Sequence, residues 1–77
     1  MITDEMAARF HLPPLKEYEK GESEYYHSFL AQSDYIVSKI AELSFLGEKP
    51  EEDFTDVLSA RKYARKRINE LEEKNNG

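Results

Sequence analysis

Apolar residues recur at spacings of three and four along two stretches of this chain, and the recurrence breaks once, between Gly47 and Pro50. The first stretch opens near Ser23 and sets Tyr26, Phe29, Leu30, Ser33, Ile36, Val37, Ile40, Ala41 and Leu43 on one stripe. The second runs from Glu51 to Lys74 and repeats Phe54, Val57, Arg61, Ala64, Ile68 and Leu71, with Leu58 beside the seam. Both patterns have the helical period, and each predicts an amphipathic helix with one face to bury. Gly47 suits the left-handed residue that follows a helix, and Pro50 suits the first position of the next. Phe45 and Leu46 read as the end of the first stripe. Each helix would span roughly 36 Å at 1.5 Å per residue, and two helices of equal length joined by a short turn lie antiparallel. The chain therefore predicts an all-α fold: an antiparallel helical hairpin over residues 23–74.

A shorter element precedes it. Thr3 can cap a helix whose first turn holds Asp4 and Glu5, where acids complement the helix dipole, and Met6, Ala7 and Phe10 share a face. Pro13-Pro14 forces that helix to stop by Leu12. The segment PPLKEYEKGE then reads as a proline-containing connector with one helical turn around Leu15 to Tyr18, closed by Gly21. Residues 1–22 thus form an arm and connector, 23–74 the hairpin, and 75–77 a tail expected to fray, all within one small domain.

With the turn centred near Glu48, Leu43 faces Phe54, Ile40 faces Val57, Phe29 faces Ile68 and Ile36 faces Arg61. An arginine on an apolar seam must find a carboxylate or reach water. Arg61 is expected to pair with Asp34 or to reach the Tyr35 hydroxyl.

Seventy-seven residues bury little apolar surface, so self-association or docking on a larger assembly is expected. Sixteen acids against eleven bases give a formal charge of −5, which disfavours a nucleic-acid partner. Cysteine is absent, and with it every disulfide, thiolate ligand and thiol nucleophile. The start MITDEM carries acid where a signal peptide carries base, and none is expected. No run approaches the ~20 apolar residues of a membrane span. The chain reads as soluble and cytoplasmic at synthesis, with no membrane partner.

Candidate chemistry is sparse. The basic run Arg61, Lys62, Arg65, Lys66 and Arg67 reads first as a solvated face paired with acids such as Glu70 or Asp34, and second as a phosphate-binding stripe with Tyr63 beside it. His11 and His27 stand far apart, and His27 with Glu24 is only a pair, so no metal or cofactor is expected. Ser28, His27 and Asp34 could be drawn as a triad, yet nothing supplies a nucleophile turn or an oxyanion hole. Neither an enzyme nor a small-molecule substrate is expected. Tyr18, Tyr25, Tyr26 and Phe29 read as core and rim packing, and tyrosines also favour interfaces. The candidate interaction surface is accordingly Tyr18, Tyr25, Tyr26, Arg61, Lys62, Arg65 and Lys66.

Two resemblances bear on function. Ser33, Asp34, Tyr35, Lys39, Ile40, Ala41 and Glu42, followed by Arg61, Arg65, Ile68, Asn69, Glu70 and Leu71, resemble a pattern in small helical proteins and segments encoded near tail or tail-fibre genes of phages and prophages of Gram-positive bacteria. The likeness covers about the last fifty residues and implies a phage-derived structural or accessory protein, tail-associated and virion-associated, that acts through protein–protein contacts. Outside it, TDEMAARFHLP resembles the first helix and turn of helix-turn-helix DNA-binding proteins, although the following PLKEYEKGE is a poor major-groove reader. Size and charge alone suggest a third class, a small phage inhibitor that binds a host protein through an acidic surface.

Overall fold

The structure, a computed structural model, describes the backbone of residues 2–76 and the side chains of residues 2–73. Its described elements are a short helix α1 (Asp4–Arg9), a 3-10 turn at Leu15–Glu17, and two long helices, α2 (Glu22–Phe45) and α3 (Thr55–Asn76). The long helices pack on each other as an antiparallel hairpin.

Each helix end has a local cause. Thr3 Oγ1 accepts the Met6 amide at 3.1 Å and so caps α1. The helix stops at Arg9, before the prolines act, because the chain turns left-handed at His11 (φ 63°). There the His11 and Leu12 amides donate back to the carbonyls of Ala8 and Ala7 at 3.1 and 3.0 Å, the paired bonds of a Schellman end. Glycine is the usual residue at that position, and a side chain there costs about 1–2 kcal/mol. Leu12 partly recovers the cost by packing on the core. The same ending recurs at the far end of α2: Gly47 (φ 74°) and Glu48 donate to the carbonyls of Ser44 and Leu43 at 3.1 and 2.8 Å. Here the left-handed residue is a glycine, as expected.

Helix α2 is one uninterrupted element through Ser33-Asp34. Helix α3 starts four residues later than the expected Glu51, so Pro50 stands in the connection and not in the first turn. Proline and three consecutive acids mimic a helix start, but Asp53 sets the boundary by accepting the Thr55 amide at 2.9 Å. Phe54, just before the helix, turns inward and is buried. Helix α3 is described to Asn76; the expected fraying of residues 75–77 falls on side chains of 75 and 76 and on Gly77, which lie outside the described residues.

The core joins all three helices. Met6, Ala7 and Phe10 of the α1 segment, Tyr25, Tyr26, Phe29 and Ile36 of α2, and Val57, Ala60, Ala64 and Ile68 of α3 form one buried cluster with Phe54. The ring of Phe10 meets that of Phe29 edge-on at 5.4 Å, and the Tyr25 hydroxyl donates to the Pro13 carbonyl at 2.9 Å. The arm is thereby part of the fold. Two positions expected on the inner stripe, Val37 and Ala41, face outward instead. With α1 on one flank and α3 on the other, the buried arc of α2 is displaced toward Tyr25, so the stripe's far edge is left in water.

Candidate interaction surfaces

The basic run divides into two kinds of residue. Arg61 is buried (4% exposed) and points across the hairpin. Its guanidinium donates to the Leu30 carbonyl at 2.8 Å, to Ser33 Oγ at 2.6 Å and to Asp34 Oδ1 at 2.8 Å. The expected pairing with Asp34 is present, while Tyr35 is exposed and plays no part in it. Ser33 has no solvent exposure, and its hydroxyl donates in turn to the Phe29 carbonyl at 2.7 Å. A charged group is tolerated on the seam because every side is satisfied: one carbonyl, one hydroxyl, and a carboxylate that itself stands mostly in water.

Arg67 makes the second node. Its guanidinium bonds Glu22 at 2.9 Å and also Glu70, one turn along the same helix. Those two carboxylates, Glu22 first, hold its pKa above the usual arginine value. The Tyr26 hydroxyl also donates to Glu22, at 3.2 Å. Burial first, then the Tyr63 hydroxyl and the Glu22 charge, push the Tyr26 pKa up. Burial does the same for Tyr25, aided by Asp4.

Of the seven residues expected to form a contact surface, Tyr25, Tyr26 and Arg61 are therefore interior, at 2%, 3% and 4% exposure. Tyr18 is half-buried, edge-on to Tyr25 and bonded through its hydroxyl to Ser28 Oγ at 3.1 Å. Tyr63 likewise packs edge-on against Tyr26. The rings serve the core because α1 and its connector cover them. Only Lys62, Arg65 and Lys66 reach solvent, on the outer side of α3, without an ion-pair partner among the described residues.

Other candidates do not converge. His27 lies 3.6 Å from Glu72 on an exposed surface, Ser28 is engaged by Tyr18, and Asp34 by Arg61, so the three make no triad. Among the described residues no group of three metal-binding side chains comes together. No described helix is long and apolar enough to cross a membrane. The segment that would have to be a recognition helix, PLKEYEKGE, forms only the three-residue 3-10 turn before its last residue, Glu22, opens α2.

The feature that sequence reading missed lies at the hairpin's turn. Phe45 and Leu46, read as the end of the buried stripe, are 95% and 66% exposed. The signal was available. Phe45 follows Phe29 by sixteen residues, which at 3.6 residues per turn places it about 160° round the helix, on the opposite face. Next to this pair the connection 48–54 arches over a shallow groove whose floor and rim include Lys39, Leu43, Pro50 and Phe54. A second hollow on the other side of the same arch exposes Ile40 and Leu58.

The turn is also where the charge resides. Residues 42–56 contain Glu42, Glu48, Glu51, Glu52, Asp53 and Asp56 against a single base, Lys49, so they account for the entire formal charge of −5 and the remainder of the chain balances. Asp56 is paired with Arg9 at 3.2 Å and Asp53 caps α3. The four glutamates have no ion-pair partner among the described residues. Comparison with protein-family models, with curated proteins and with solved structures finds no match to this chain.

Proposed function

We propose that this chain is a non-enzymatic interaction module, a phage- or prophage-derived structural or accessory protein that works by binding another protein in or near a phage tail. One observation carries the binding part of the reading: a large ring and a leucine, Phe45 and Leu46, are the most exposed of the large apolar side chains and stand at the turn where a groove opens. Water-exposed apolar side chains that adjoin a groove mark contact sites more often than solitary ones do. The phage and tail assignment rests on the resemblance of residues 33–42 and 61–71 described above. Co-expression with the products of neighbouring genes tests both parts. A complex of fixed stoichiometry with a tail component is the expected result; a chain that elutes alone from every such mixture would remove the reading.

A second reading, inhibition of a host protein, is favoured by the concentration of acid in residues 42–56, since an acidic surface can mimic an anionic ligand. Capture of a purified host enzyme with loss of its activity would distinguish it from tail association.

A further inference from the structure

The two ends of the hairpin differ in what they leave for a partner. At the open end of the hairpin, where α2 begins, Tyr25 and Tyr26 are covered and Arg67 is paired, and outside residues 42–56 the formal charges cancel. At the turn end an apolar pair is bare, four glutamates are without an ion-pair partner among the described residues, and α2 terminates with no basic residue in its last turn. A helix C-terminus carries roughly half a negative charge, which a cation ordinarily offsets. Three independent features, bare apolar area, uncompensated carboxylates and an uncompensated helix dipole, thus coincide within one turn.

Together they select an occupant. A second copy docking turn to turn would bring two anionic ends together, so like charge opposes that arrangement. Nucleic acid and anionic lipid headgroups are excluded on the same sign argument. A neutral apolar partner would cover Phe45 and Leu46 but would strip water from the glutamates without replacing it. We propose that the turn end is a docking site for a basic amphipathic segment of another protein, whose apolar side chains cover Phe45 and Leu46 and whose lysines or arginines meet Glu42, Glu48, Glu51 and Glu52. Leu46 follows Lys39 and Leu43 by seven and three residues and therefore shares their side of α2. Phe45 stands about 100° round the helix from Leu46, at the edge of that side, so a helix-sized segment laid along the groove would cover Leu46 and meet Phe45 at its flank. This assignment rests on the reading of the chain as an interaction module and specifies where, and with what chemistry, the module binds.

Three synthetic helical peptides with the same leucine spacing supply the probe, one with lysine, one with glutamate and one with glutamine at the polar positions. Each is titrated into the full chain at low and at high salt, with amide shifts followed by NMR. The lysine peptide is expected to bind, to move amides of residues 42–54, and to weaken as salt rises. Phe45→Ser with Leu46→Ser should lower its affinity at least about tenfold, as loss of a contact-centre anchor does, while helicity by circular dichroism stays unchanged. Glu51→Lys with Glu52→Lys should lower it as well. The inference fails if the lysine peptide does not bind, if the glutamine or glutamate peptide binds equally well, or if the shifts map to Lys62, Arg65 and Lys66. It also fails if sedimentation shows copies joining through Phe45 and Leu46. A complex found by co-expression that survives the Phe45→Ser, Leu46→Ser change would overturn this site and leave the interaction reading standing. Absence of any complex would remove that reading itself.

Discussion

Arg61 shows how far a single residue can be read from spacing. Its place on an apolar seam required a carboxylate opposite, and Asp34 was at the right height; the bond is 2.8 Å. What spacing could not supply was the inner half of the arrangement, the Ser33 hydroxyl and the Leu30 carbonyl, because a serine on a buried stripe looks like an exception until its partner is placed. The consequence is a contrast between two substitutions. Arg61→Ala removes a long side chain from the core and leaves a hole, and should destabilise by about 2–3 kcal/mol. Arg61→Met keeps the volume, and Ser33 still has the Phe29 carbonyl as its acceptor, so this variant is expected within about 1 kcal/mol of the parent. Urea unfolding of both would decide. Equal losses would mean that the charge matters more than the volume.

For elements, the hairpin and its bend were legible from periodicity and from the Gly47–Pro50 break, but the start of α3 was not. Pro50, Glu51 and Glu52 satisfy every local preference for a first helical turn. The helix nevertheless waits for Asp53, since burying Phe54 against the seam is a tertiary demand that local preference does not contain. The Asp53 carboxylate is held below its ordinary pKa, chiefly by hydrogen bonding to Thr55. Its folded value lies under its unfolded one, so the stabilisation is complete above the normal aspartate range, near about pH 3.9, and is lost as pH falls through the folded value. Asp53→Ala should therefore lower stability at neutral pH and flatten the acid side of the stability profile, measured as the urea midpoint against pH. A parallel profile, merely displaced, would show that the cap contributes no linkage. The same tertiary override moved the inner face of α2. Val37 and Ala41 fit the stripe arithmetically, yet α1 draws the core toward Tyr25, a position outside the periodic stripe.

On the scale of the whole molecule, the docking of residues 1–22 on the hairpin is what no sequence pattern indicates, because the segment has no extended period and its value lies in a few contacts. Phe10 is the chief of them, 3% exposed and edge-on to Phe29. Phe10→Ala is expected to destabilise by about 3 kcal/mol, a large share of what a small domain possesses. In hydrogen exchange the amides of α1 should lose protection first while α2 and α3 keep theirs. A loss below about 1 kcal/mol, well under the usual range for a buried ring, would show that the arm merely rests on the hairpin. The distribution of charge has its own reach. The molecule is 44 Å long, and in physiological saline a charge is felt over only about 8 Å. Electrophoretic mobility will report all five negative charges, yet a neighbour brushing the shaft far from the bend meets acids and bases that cancel in sum, with the exposed cations Lys62, Arg65 and Lys66 among them. Net electrostatic repulsion between molecules in a concentrated solution will therefore be strongest when two bends meet, and flank-to-flank approach is the direction least guarded.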